Sequence, residues 1–102
     1  MQKTDNALEN DRKKIDELDE RILLLLNERA KLSVNIARIK SEQNIPIFVP
    51  ERENKLLDKI VAQNKGPLEG NAIRNIFICI LDESKRLQHA TLNGSINNKE
   101  NE

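Results

Sequence analysis

Tryptophan and tyrosine are absent from this chain, and aromatic residues make up only 2% of it. With so few bulky side chains, a lone domain of 102 residues has little with which to fill a core. A chain this size is marginal as a monomer, and association would stabilise it. There is one cysteine and one histidine, which excludes a disulfide framework and a metal cluster built from those residues. Cys79, inside the run Ile76-Phe77-Ile78-Cys79-Ile80, is expected to be a small buried apolar residue. His89 is expected to be solvated. No apolar run approaches the ~20 residues needed to cross a bilayer. The opening MQKTDNALENDRKK has no apolar signal core, so a cytoplasmic location is expected. Seventeen basic and seventeen acidic residues cancel. That balance speaks against a general nucleic-acid binder and against a membrane-surface role.

Glycine and proline are also scarce, three of each, and their positions divide the chain. The first residues, 1–7, are polar and expected to fray. From residue 8 to about 42 there is neither glycine nor proline, and good helix formers dominate. Pro46 disfavours a helical Ile45 and marks a break. Pro50 suits the first turn of a second helix, about 50–64, with Glu51 near its positive end. Lys65-Gly66-Pro67 ends that helix, and a third is expected over about 70–90. Residues 92–102 read as a disordered tail. The fold expected is therefore all-α, a protomer of long, short and medium helices within residues 8–91.

The apolar positions of the first helix are Ile15, Leu18, Ile22, Leu25, Leu32, Ile36 and Ile39. They form a heptad seam with one missing tooth, and the missing tooth is Arg29. A helix of ~34 residues is ~50 Å long, whereas a compact domain of this size is only ~34 Å across, from a radius of gyration of ~13 Å. The other two helices cannot cover the seam. It is expected to meet a second copy, giving a helical homodimer with the long helices as its spine.

Polar residues interrupt the apolar lines. At ~100° per residue, Lys40 lies within ~20° of Arg29's direction. Arg38 points away from both. Arg12 is turned ~100° from Arg29, so it does not share a pocket with Arg29 in one straight helix; across a two-fold axis it can reach the partner's. Arg52 and Glu53 follow the Pro50 turn. Ser84 and Gln88, spaced i,i+4, extend the line of Phe77 and Leu81. Each has an ordinary explanation by itself: register, solvation, or a stripe running out. Together they place several cations, one carboxylate and two neutral polar groups on inward lines. Buried charge is costly without a counter-ion. No matching set of inward acids is visible, so a dianionic ligand is expected, and guanidinium forks suit carboxylates.

The run from Arg12 to Arg29, RKKIDELDERILLLLNER, followed by Lys40, Pro50-Glu51-Arg52-Glu53, Ser84 and Gln88, resembles the all-α chorismate mutases. These include the mutase domain of the bifunctional P-protein and its free-standing relatives. The resemblance spans about residues 8–91. It implies an intertwined homodimer with two sites, acting in phenylalanine and tyrosine biosynthesis on the small molecule chorismate, without metal or cofactor. It also implies roles. Arg29 grips one substrate carboxylate, and Arg12 from the partner chain grips one in the other site. Lys40 and Gln88 bond the breaking ether oxygen, Glu53 accepts from the ring hydroxyl, and Arg52 and Ser84 complete the contacts. Relatives often carry an acid where Val49 stands here, so Val49 is left out of the site. Fusion to, or association with, another enzyme of the pathway is a further implication. The rival readings are an isochorismate pyruvate lyase, a non-catalytic mutase-like regulatory dimer and a plain dimerisation domain. Glu53 favours the mutase over the lyase.

Overall fold

The computed structural model describes the backbone of residues 2–94 and the side chains of residues 6–94. Three helices follow one another: α1 (Gln2–Glu42), α2 (Pro50–Gln63) and α3 (Gly70–Leu92). Helix α1 starts earlier than residue 8, since no glycine or proline interrupts residues 2–8. Most of the expected tail, residues 95–102, lies outside the described residues.

Helix α1 ends at a left-handed asparagine. Asn44 has φ 59°, a conformation that asparagine tolerates better than most residues. The Ile45 amide donates to the Lys40 carbonyl at 2.8 Å, and the Asn44 amide to that of Ser41 at 3.3 Å. This paired closure satisfies carbonyls that the last turn leaves open. The stop is therefore set at Asn44, ahead of Pro46.

Pro50 opens α2, and the Val49 carbonyl accepts from the amides of Arg52 at 3.0 Å and Glu53 at 3.2 Å. No side chain caps this end; Glu51 and Glu53 supply the negative charge that the first turn favours. After α2, Asn64 organises the turn. Its side-chain Nδ2 donates to the Leu68 carbonyl at 2.7 Å, and its side-chain oxygen accepts from the Gly66 amide at 3.1 Å. Gly70 lets α3 approach α2, because a Cβ there would stand 3.3 Å from Val61 Cγ1.

Helix α3 packs on α1 along one side and on α2 along another, while among the described residues α1 and α2 do not pack on each other. The core is correspondingly thin: Ala37, Leu57 and Leu81 are its buried apolar members. The molecule measures 62 × 39 × 14 Å, with a radius of gyration of 18.2 Å, against ~13 Å for a compact domain of this length. Described residues of α1 up to Glu28 are exposed all round, the seam residues Ile15, Leu18, Ile22 and Leu25 included. Cys79 is also exposed, contrary to expectation. It lines an open apolar groove of about 400 Å³ between α1 and α3, beside Leu26, Ala30, Ile80 and Leu87. No helix among the described residues is long and apolar enough to cross a membrane.

Candidate active site

A second cavity, of about 140 Å³, opens where the C-terminal half of α1, the loop before α2, the start of α2 and the end of α3 converge. Its wall includes Arg29, Lys40, Arg52, Glu53, Ser84 and Gln88, so the structure gathers there every expected site residue except Arg12.

Helical spacing explains the α1 side. Arg29, Ser33, Ile36 and Lys40 recur at intervals of three and four and form one face. Arg29 Nη1 donates to Ser84 Oγ at 2.7 Å, linking α1 to α3. One turn along each helix, Gln88 Nε2 donates to the Ser33 carbonyl at 2.8 Å. Gln88 is 8% exposed, and this bond satisfies a polar group that burial would otherwise penalise. Lys40 Nζ donates to the Ile47 carbonyl at 3.2 Å. The turn at Asn44 folds the chain back so that this carbonyl comes within reach.

Glu53 enters from the first turn of α2. Its carboxylate meets Lys85 Nζ, which stands 3.4 Å from each of its oxygens. The same ammonium lies 4.2 Å from the centre of the Phe48 ring and 3.5 Å from Asp82 Oδ1. Among the described residues, Arg29, Lys40 and Arg52 have no carboxylate partner. The cavity wall thus carries three unpaired cations and one carboxylate already matched by a fourth cation. Such a wall suits a small dianion, and the planar guanidinium forks suit carboxylates in particular.

Arg12 lies elsewhere. It is exposed on the N-terminal half of α1 and pairs with Glu9 at 3.1 Å. Seventeen residues of helix separate it from Arg29 by about 26 Å. Val49, set aside on sequence grounds, lines the cavity, but its carbonyl is occupied in capping α2. Sequence reasoning missed Lys85 and Ser33. Ser33 acts through its backbone carbonyl, which no residue type advertises. Lys85 sits one position after Ser84, among the charged residues Asp82, Glu83 and Arg86, and reads there as part of a solvated face. Only the proximity of α2 reveals its partner.

A family model described as chorismate mutase type II matches residues 11–89. The chain belongs to this chorismate mutase family. The chorismate mutase of Methanocaldococcus jannaschii is 42% identical over 81 residues, covering 76% of this chain and 79% of that protein. The bifunctional chorismate mutase/prephenate dehydratase of Aquifex aeolicus is 59% identical over 54 residues, covering 53% of this chain and 15% of that protein. The bifunctional enzyme of Pseudomonas aeruginosa is matched over 22% of its length, so the chain spans only a minor part of these longer relatives. Among solved structures, the Helicobacter pylori chorismate mutase in complex with prephenate superposes with a TM-score of 0.79 at 31% identity, covering 86% of this chain and 96% of that one. A Thermus thermophilus chorismate mutase gives 0.75 at 36% identity, covering 76% and 89%. The long, short and medium helices are thus an all-α chorismate mutase fold, with the cationic cavity at its centre.

Proposed function

We propose that this chain rearranges chorismate to prephenate as a homodimer, with each site built mainly by one chain and finished by the other. The observation that carries this reading is the cavity wall: Arg29, Lys40 and Arg52 unpaired around a space whose only matched acid is Glu53. The substrate is a dianion. One ether C–O bond breaks and one C–C bond forms in a concerted step, with no nucleophile and no proton transfer. The protein's work is to hold the compact conformer and to place positive charge where the ether oxygen becomes negative.

The chain's own residues can do both. Arg29, steadied by Ser84, and Arg52 grip carboxylates. Lys40 and Gln88 each spend one donor on a backbone carbonyl and keep others for the ether oxygen. Glu53 accepts from the ring hydroxyl. Arg12 serves the partner's site. This assignment is supported by its exposure and its distance from Arg29, and by the size of the cavity, which is below the ~300 Å³ at the lower end of ordinary ligand pockets. A wall supplied by a second copy would complete it. The exposed seam of α1 and the open groove beside Cys79 support the same dimer. Relatives named for mutase and dehydratase together support a prephenate-consuming enzyme as a fused or associated neighbour. The proposal includes a cytoplasmic location, which cell fractionation tests.

Purified protein incubated with chorismate should convert it to prephenate; an inert protein would reject the assignment. Isochorismate offered in parallel distinguishes the lyase by its release of pyruvate. Chains carrying Arg12→Ala and Lys40→Ala should each be nearly inactive alone. Mixed and allowed to exchange, they should recover activity, because one site of the heterodimer then holds both native residues. Absence of recovery after verified exchange would reject the cross-chain role.

A further inference from the structure

Lys85 is the one cation of the cavity wall that faces an acid. Its side chain is 26% exposed and that of Glu53 is 22% exposed, so the pair is largely shielded by the wall it belongs to. Phe48 fixes the ammonium from the loop side, with 4.2 Å between Nζ and the ring centre. Asp82, one turn back on α3, steadies it from its own helix at 3.5 Å. The ammonium therefore has a defined position, and that position is the carboxylate of Glu53.

The consequence concerns the other cations. Glu53 is the only carboxylate among the residues lining the cavity. Released from Lys85, it would stand among Arg29, Lys40 and Arg52 with nothing to hold it away from them. A carboxylate on a flexible stem forms charge-assisted bonds with whichever cation is within reach. Each such bond would remove a cation that a dianionic substrate needs. We infer that Lys85 is a positioning residue that ties Glu53 to α3 and so keeps the substrate-gripping cations Arg29, Lys40 and Arg52 free. This rests on the mutase reading above, in which Glu53 meets the ring hydroxyl.

The test is a double-mutant cycle of Lys85→Met and Glu53→Gln, read as KM and kcat on chorismate with the melting temperature followed in parallel. Lys85→Met keeps the apolar stem and removes the charge. It should raise KM about 5- to 10-fold, with a smaller change in kcat and an unchanged fold, as loss of one shielded charge-assisted contact would do. Lys85→Arg should return KM to within about twofold of the native value, since a cation is kept. In the Glu53→Gln background no anion remains to be held back, so Lys85→Met should add little further. If Lys85→Met melts early, Lys85→Gln takes its place in the cycle. An unchanged KM in an active enzyme would overturn the inference, as would failure of Lys85→Arg to rescue. Strictly additive losses would overturn it too, because Lys85 would then act on the substrate directly. A native protein inert on chorismate would instead reject the mutase reading, and the role of Lys85 with it.

Discussion

Arg29 and Ser84, 55 residues apart in the chain, are joined by a 2.7 Å hydrogen bond from the guanidinium to the hydroxyl. A serine hydroxyl contributes no charge, but it holds one edge of a guanidinium whose other donors stay available. Its effect is directional: on the proposed reading, a fork that must meet a carboxylate in a defined plane is held in that plane before the ligand arrives.

Ser84→Ala should therefore weaken the enzyme without unfolding it. A hydrogen bond to a charged group contributes about 1.5–3 kcal/mol, and the guanidinium can find water in its place. The expected loss in kcat/KM is about tenfold, carried mostly by KM. Steady-state kinetics checks this, and native kinetics in the alanine variant would show that Arg29 needs no such restraint.

On the proposed mechanism, Lys40→Ala should remove the main positive charge facing the breaking ether bond. Loss of one preorganised donor costs about 10²–10³ in rate. The fold should persist, because the bond lost to the Ile47 carbonyl secures a loop and not the core. Turnover within tenfold of the native rate would exclude Lys40 from the chemistry.

Gln88→Glu should make both stability and activity depend on pH. Position 88 is buried and faces the Ser33 carbonyl. Burial and that acceptor both favour the protonated acid, so the introduced carboxyl should titrate above the ordinary ~4.3. Its contribution to stability is full below the unfolded-state value and lost as pH rises through the raised folded-state value. The variant should melt about 5 °C or more lower at pH 8 than at pH 4, and its activity should fall in the same direction. The native glutamine, neutral throughout, should give little change in activity between pH 6 and 8.

Leu25→Asp on the exposed seam of α1 should dissociate the proposed dimer. Burying a leucine contributes about 1.5–3 kcal/mol, and a symmetric interface loses it twice. A dissociation constant about 10²–10⁴-fold higher is expected, with loss of activity at low protein concentration. Sedimentation across a dilution series measures this, and an unchanged profile would place the interface elsewhere.

Much of the fold was legible because its punctuation is chemical. Pro50 and Gly66-Pro67 set helix ends by sterics that hold in any context, and the seam of α1 follows from spacing alone. The stop at Asn44 was less visible, since asparagine becomes left-handed only when the following turn closes on Lys40 and Ser41. The cavity was legible where a polar residue broke an apolar line, as Arg29, Ser84 and Gln88 do. It was illegible where the informative fact was a neighbour from another helix. Lys85 looked like surface because its own segment is charged, and only α2 gives it a partner. Cys79 looked like core because the run around it is apolar, yet such a run on α3 faces several directions, and one of them is open in a single chain. Arg12 broke no apolar line, and its own helix places it beside Glu9 and away from the cavity; its proposed role rests on a second copy.

Helix α3 alone touches both of the others, so it works as the reference frame of the molecule. Arg29 of α1 is tied to Ser84 and Glu53 of α2 to Lys85, so both are located by α3. An error in seating that helix would be transmitted to both halves of the cavity at once and in different directions. Substitutions along the buried line of α3, at Leu81 in the cavity wall and at Thr91, should therefore blunt the proposed activity as a misaligned instrument is blunted, before they threaten the fold.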